Sequence, residues 1–289
     1  MWPRRTGGIV EAPCREQAQV TGAGRRLSRV YPDRSLEFSP LATPRRIIAG
    51  NWKMNGLEDS LSEARAIASW LDSHPVGARV ALCPPATLIS RMAEALAGAG
   101  VEIGGQDCSS EQNGAFTGDI SATMLVDAGA RLVIVGHSER RAKHGERNAT
   151  VAAKARAAVE AGLEPIVCVG ETLEERRIGR AVTLVCRQVE ASLPQVLVDH
   201  PFAVAYEPVW AIGSGLTPSR EEIEAMHAAI RQALERKFGE AGTDVPILYG
   251  GSVKPDNAGE IFRSREVGGG LIGGASLTAD SFTAILAAA

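Results

Sequence analysis

The chain has 289 residues, of which 45% are hydrophobic and 22% charged, and its formal net charge is −3 at pH 7. A chain of this length forms one large α/β barrel or two smaller domains. The negative charge and the 4% aromatic content argue against nucleic acid as a partner. The apolar runs are much shorter than the roughly 20 residues that span a bilayer, so we expect a cytoplasmic protein with no membrane partner.

The cysteines and histidines indicate neither a disulfide framework nor a metal site. The five cysteines form no CxxC pair, and their odd number favours a reducing compartment. The five histidines include no HExxH motif, so we expect no metal. A GxGxxG pattern at 268–273 has too little chain after it for a dinucleotide-binding unit.

Residues 1–44 differ in composition from the rest of the chain. They contain seven arginines and five prolines, show no sustained apolar period and lack the apolar region of a secretory signal peptide. A transit peptide and upstream sequence from an early start codon are the alternatives. We expect a disordered or loosely docked extension over 1–44 and a folded domain over 45–289.

From residue 45 onward, short apolar runs alternate with helical stretches. The eight runs lie at 46–50, 79–83, 101–105, 131–136, 164–169, 201–206, 245–249 and 269–273. Strands that are apolar throughout belong to parallel sheets covered by helices. Eight β-then-α units in about 250 residues match a single-domain (β/α)8 barrel, and an open doubly wound sheet is the competing fold.

Chemically reactive residues follow several of these strands. They are Asn51 and Lys53 after the first, His137 after the fourth, Glu207 after the sixth, Ser252 after the seventh, and Gly273 and Gly274 after the eighth. Active sites of parallel barrels lie where the strands end, and the last two loops often hold a phosphate. A carboxylate, an imidazole and an ammonium at one opening predict an enzyme that moves protons on a small phosphorylated substrate.

Each of these residues also has a structural interpretation. Lys53 could be a solvated charge at the rim, and His137 could be a structural histidine. Ser252 could simply cap the following helix, and the paired glycines could simply turn the chain. Glu207 alone could be an ordinary surface carboxylate; its arrival at the same opening as the others favours the catalytic interpretation.

Six motifs occur in order along the chain. They are AGNWKMN at 49–55, GAFTG at 114–118, VGHSERR at 135–141, AYEPVWAIG at 205–213, YGGSV at 249–253 and GGASL at 273–277. This set resembles the triosephosphate isomerase family from about residue 46 to the end of the chain. The resemblance implies a TIM barrel that interconverts dihydroxyacetone phosphate and glyceraldehyde 3-phosphate through an enediol(ate), in glycolysis and gluconeogenesis, without metal or cofactor.

The resemblance also implies roles for individual residues. Glu207 corresponds to the catalytic base, His137 to the neutral electrophile, and Asn51 and Lys53 to residues that contact the substrate. The residues that correspond to the phosphate site are Gly213, Ser252, Gly273 and Gly274. Residues 208–215 correspond to a closing lid, and Glu139 and Glu171 to supporting acids. Thr117 corresponds to a loop that enters a partner subunit, which implies a homodimer.

The chain departs from the family pattern at a few positions. Residues 266–269 read EVGG where an Asp-Gly pair is common, so we expect a loop-anchoring ion pair to be absent there. Asp107 replaces a frequent asparagine, and Ser214 replaces a frequent threonine. None of these departures affects Glu207 or the other predicted catalytic residues.

Overall fold

The computed structural model describes residues 46–212 and 216–289. The expected extension over 1–44, its boundary with the folded domain, and Gly213 of the predicted lid lie outside the described residues.

Eight parallel strands close into a barrel in which each strand pairs with the next one along the chain. They are β1 (Arg46–Asn51), β2 (Ala78–Cys83), β3 (Val101–Gly105), β4 (Leu132–Val135), β5 (Glu164–Val169), β6 (Ala203–Tyr206), β7 (Ile247–Tyr249) and β8 (Gly269–Ile272). Pairing of Ile47 with Gly269, and of the next three residues of each strand, joins β1 to β8. The predicted barrel is confirmed, and the open sheet is excluded.

The described residues contain ten α-helices on the outside of this barrel. They are α1 (Leu61–Ser73), α2 (Ile89–Ala95), α3 (Ala122–Asp127), α4 (Ser138–His144), α5 (Asn148–Glu160), α6 (Leu173–Arg177), α7 (Ala181–Ser192), α8 (Arg220–Phe238), α9 (Ala258–Phe262) and α10 (Ala279–Leu286). Ser219 and Glu222 form a capping box that starts α8. Within the described ranges no helix has the length and apolar character to cross a membrane.

Successive side chains along each strand point to opposite faces of the barrel wall, which separates two hydrophobic clusters. The inner cluster fills the barrel with side chains of moderate size, including Ile47, Leu132, Ile166 and Leu271. The outer cluster joins the other face of the strands to the helices. Cys168 belongs to the inner cluster, and burial raises the pKa of its thiol well above the ordinary value, so it is a buried side chain rather than a nucleophile.

Charged residues occupy the amino-terminal end of the barrel, which we call the floor. Arg79 of β2 donates to both carboxylate oxygens of Glu102 at 2.8 Å and to those of Glu164 at 2.7 and 3.1 Å. Glu102 lies on β3, and Glu164 begins β5 and is buried. The hydrogen bond to Glu102 is the largest cause of the raised pKa of Arg79, although burial opposes it.

Candidate active site

The carboxyl ends of the strands bring most of the predicted site residues to one opening. Asn51 ends β1, Glu207 directly follows β6, and Gly273 directly follows β8. His137 stands two residues after the end of β4, immediately before α4. Parallel strands that all begin at the floor must end together here, and this placement is what turns separate motifs into one site.

Glu207 is a buried carboxylate whose two oxygens have three polar contacts. It is 2% exposed, and its Oε2 accepts the backbone N–H of Ser138 at 2.9 Å. Its Oε1 lies 3.3 Å from the hydroxyl of Ser138 and 2.8 Å from Nε2 of His137. Buried carboxylates need hydrogen-bond partners because water no longer reaches them. The arrangement therefore holds a buried carboxylate directly beside an imidazole.

The start of α4 fixes the ring of His137. Its Nδ1 accepts the backbone N–H of Glu139 at 3.2 Å, so a ring proton lies on Nε2, which faces Glu207. His137 can thus donate a hydrogen bond from Nε2.

Lys53 reaches the opening through a strained backbone. Its φ of +54° lies in the left-handed region, which non-glycine residues seldom adopt. The side chain of Asn51 accepts the N–H of Lys53 at 3.0 Å, and Gln106 donates to the carbonyl of Lys53 at 2.8 Å. The ammonium donates to Glu139 at 2.7 Å. Burial opposes ionisation of Glu139, but this bond and the nearby positive charges lower its pKa. Strain held in place by several contacts is typical of functional sites.

Two glycines that sequence reasoning missed make room for Glu207. A Cβ atom on Gly250 would lie 2.9 Å from Cγ of Glu207, and one on Gly170 would overlap the carbonyl oxygen of Glu207. Both glycines directly follow strands, β7 and β5 respectively. That position was the available signal, because a glycine at a strand end often marks a close approach of two backbones.

The predicted phosphate residues that the structure describes lie on the same side of the opening. A Cβ atom on Gly273 would be 3.5 Å from Cε of Lys53, and Gly274 borders open space. The residue that precedes α9 is Asn257, whose amide donates to the carbonyl of Ser252 at 3.1 Å. Ser252 therefore does not cap this helix, and the structural interpretation of that residue is excluded.

Glu171 anchors the segment that begins the predicted lid. Its Oε1 accepts from Trp210 at 2.9 Å and from the hydroxyl of Tyr206 at 3.1 Å. Arg176 lies 3.4 Å from the same oxygen and covers the ring of Trp210 at 4.9 Å. In contrast, the buried hydroxyl of Tyr249 has no hydrogen-bond partner within the described residues. The lid side of the opening thus combines a fixed anchor with an unused donor.

Comparison with known proteins identifies the family. The family model described as triosephosphate isomerase matches residues 46–289. The chain belongs to the triosephosphate isomerase family. It is accordingly an isomerase that acts on a triose phosphate. Curated triosephosphate isomerases from Caulobacter vibrioides and Afipia carboxidovorans are 60% and 57% identical over 246 and 241 residues. These alignments cover 85% and 83% of this chain and 97% and 96% of the relatives.

A solved structure from the same family agrees with the fold. The crystal structure of triosephosphate isomerase from Bartonella henselae is 45% identical to this chain, with a TM-score of 0.79. The match covers 84% of this chain and 98% of that structure.

Thr117 and Glu266 are two further positions about which the sequence makes predictions. Thr117 lies exposed in the loop between β3 and α3 and is not among the described residues that contact Glu207. The expected absence of an ion pair near 266–269 is wrong, because Glu266 lies 2.9 Å from Arg231 of α8. A glutamate thus anchors this segment to the helix.

Proposed function

We propose that Glu207 is the base that interconverts dihydroxyacetone phosphate and glyceraldehyde 3-phosphate, with His137 as the neutral hydrogen-bond donor and Lys53 as the fixed positive charge. The observation that carries this proposal is the 2.8 Å contact between Glu207 Oε1 and His137 Nε2 at the strand ends. It places a carboxylate and an imidazole N–H within reach of one small substrate. A triose phosphate offers an acidic C–H next to a carbonyl that needs such a donor.

The reaction follows from these two positions. Glu207 leaves its contacts with Ser138 and takes a proton from the carbon next to the carbonyl. The electron pair of the broken C–H bond forms the enediol(ate), and Nε2–H of His137 donates to the oxygen that gains negative charge. Proton exchange between the two oxygens through His137 follows. Glu207 then returns its proton to the neighbouring carbon, so atoms and charge balance without a further reactant.

The substrate phosphate is assigned to the turn after β8 and to the loop after β7. Open space at Gly274 and the contact of Gly273 with Lys53 support this placement, because backbone N–H groups there can approach an anion. Ser252 and Gly213 complete the set, and Asn51 positions Lys53. Closure of residues 208–215 would exclude water and strengthen these interactions.

Turnover of glyceraldehyde 3-phosphate, coupled to NADH-dependent reduction of dihydroxyacetone phosphate, tests the assignment. Glu207→Gln keeps the shape of the side chain but removes the base, so kcat should fall by about 10³-fold or more. Glu235→Gln, the same change at an exposed position of α8, should leave kcat unchanged. Near-normal turnover by Glu207→Gln would reject Glu207 as the base.

The catalytic domain is proposed to span 45–289, in the cytoplasm. The family match begins at residue 46, and Cys83, Cys108, Cys168 and Cys186 are free thiols, which suits a reducing compartment. A chain that starts at residue 45 should keep the kcat/KM and melting temperature of the full chain. A large loss of either would show that residues 1–44 belong to the working fold.

A homodimer is proposed from four exposed apolar side chains, one of which, Phe116, lies in the predicted dimer loop. Met54, Leu57, Phe116 and Met124 are between 47% and 95% exposed, and exposed apolar groups of this size favour a protein interface. Thr117→Asp should shift the protein towards monomers in light scattering, whereas Thr183→Asp, on the exposed face of α7, should not. An intact and fully active Thr117→Asp dimer would argue against this interface.

A further inference from the structure

Arg141 of α4 connects two strand ends behind the catalytic groups. Its Nε donates to the carbonyl of Gly136 at 2.8 Å, and its Nη2 donates to the carbonyl of Cys168 at 3.0 Å. Its other bonds go to the side chains of Asn148 at 2.8 Å and Ser192 at 3.2 Å. Four hydrogen bonds to groups on four separate segments fix the guanidinium in place.

None of these four acceptors within the described residues is a carboxylate. The neighbouring Arg140 is different, because it lies 2.6 Å from Glu146 and 2.9 Å from Asp107. Burial lowers the pKa of Arg141, while Cys168, Glu207 and Glu146 raise it. Arginine nonetheless stays protonated in proteins. The molecule therefore holds a half-buried guanidinium whose own hydrogen bonds among the described residues all go to neutral groups.

Both backbone carbonyls that Arg141 binds adjoin the site. Gly136 immediately precedes His137 and has a φ of +67°, so its carbonyl direction sets how the chain enters the histidine. Cys168 lies on β5, one residue before the end of that strand. The guanidinium thus ties the end of β4 to the end of β5, next to His137.

We infer that Arg141 is a positioning residue for isomerisation: it fixes the entry of the chain into His137 through the carbonyl of Gly136, and it ties β5 to the same place through the carbonyl of Cys168. The inference rests on the proposed role of His137. Arg141 does not donate to the side chain of His137, so it acts through the strand ends.

Two variants separate the position of the guanidinium from its charge. Arg141→Met removes both; we expect kcat to fall about tenfold to a hundredfold, while KM changes less than about threefold. Arg141→Lys keeps the charge but loses the planar set of donors, so it should restore only part of kcat. Arg156→Met, which removes an exposed charge on α5, is the control and should leave kcat unchanged.

A wild-type kcat in Arg141→Met, or a loss that appears in KM rather than in kcat, would overturn the inference. If Arg141→Met does not fold, Arg141→Lys decides, and a wild-type kcat in that variant would overturn the inference. Glu207→Gln is measured alongside: an active Glu207→Gln would reject the proposed base, whereas its inactivity with unchanged kcat in the Arg141 variants would reject the role of Arg141 alone.

Discussion

The two ends of the barrel use charged side chains in opposite ways. At the floor, Arg79 satisfies Glu102 and Glu164 directly, and the cluster is complete. At the opening, Lys53 has a left-handed φ and pairs with the half-buried Glu139, and the buried hydroxyl of Tyr249 lacks a described partner. The same eight strands thus carry a closed cluster of ion pairs at one end and the groups proposed to meet the substrate at the other. On this proposal, stability and chemistry are divided between the two ends.

The largest effect should follow from removal of the charge at the opening. Lys53→Met keeps the length of the side chain but removes the ammonium that stabilises negative charge in the transition state, so kcat/KM should fall by about 10³-fold. Steady-state kinetics and a urea unfolding curve would be measured together. A stability loss without a kinetic loss would make Lys53 a structural residue.

Arg79→Met, the matching change at the floor, should reduce stability and leave activity nearly unchanged. Arg79→Met leaves Glu102 and Glu164 without their shared partner in a partly buried place, so the free energy of unfolding should fall by about 3 kcal/mol. The kcat of the folded fraction should stay within about twofold of wild type, because the change lies at the far end of the strands. A large kinetic loss with normal stability would show that the two ends are not independent.

Acid should destabilise the fold through a histidine behind the opening. His227 is fully buried, its Nδ1 donates to the carbonyl of Glu266 at 3.0 Å, and burial lowers its pKa from 6.5 to about 4. Below pH 6.5 the unfolded chain binds a proton that the folded protein does not bind until about pH 4. The free energy of unfolding should therefore fall by up to about 3 kcal/mol as the pH drops through this window.

His227→Asn keeps a donor near the carbonyl of Glu266 but does not titrate. Denaturant unfolding of both proteins at several pH values isolates the contribution of the histidine from that of the carboxylates. The variant should lose less stability than wild type between pH 6.5 and 4, and parallel curves would contradict the account.

The smallest expected effect is a difference in unfolding free energy between two variants, each of which removes one tyrosine hydroxyl. Tyr206→Phe removes a hydrogen bond to Glu171 and should cost about 1 kcal/mol of unfolding free energy. Tyr249→Phe removes a buried hydroxyl that has no described partner, so it should cost less than about 0.5 kcal/mol or stabilise the protein slightly. Equal losses in the two variants would mean that the hydroxyl of Tyr249 is satisfied in solution.

The architecture, and the placement of Glu207 and His137 at one opening, could be predicted because they depend on local order along the chain. Eight apolar runs predict eight strands, and the residue after each strand must lie at the opening of a parallel barrel. Glu207 and His137 follow from this rule alone. The structural alternative for Ser252 could not be excluded from sequence, since it depended on which residue begins α9.

Other features depend on contacts between distant segments. Gln106 supports Lys53 from another strand loop, a contact that no sequence spacing predicts. Gly170 approaches the backbone of Glu207 from the neighbouring strand, and only its position directly after β5 indicates such an approach. The ion pair of Glu266 was predicted wrongly, because the longer side chain reaches Arg231 on a different helix. Asp107, noted only as a departure, accepts from the buried Lys154 at 2.7 Å.

Isomerisation in D2O, followed by proton NMR, tests the division of roles most directly. Glu207→Gln and Glu164→Gln make the same change at the opening and at the floor. The account predicts that wild type and Glu164→Gln introduce deuterium at the carbon next to the carbonyl at similar rates, and that Glu207→Gln introduces almost none. Deuterium incorporation by Glu207→Gln at the wild-type rate would contradict the central claim that this carboxylate moves the proton.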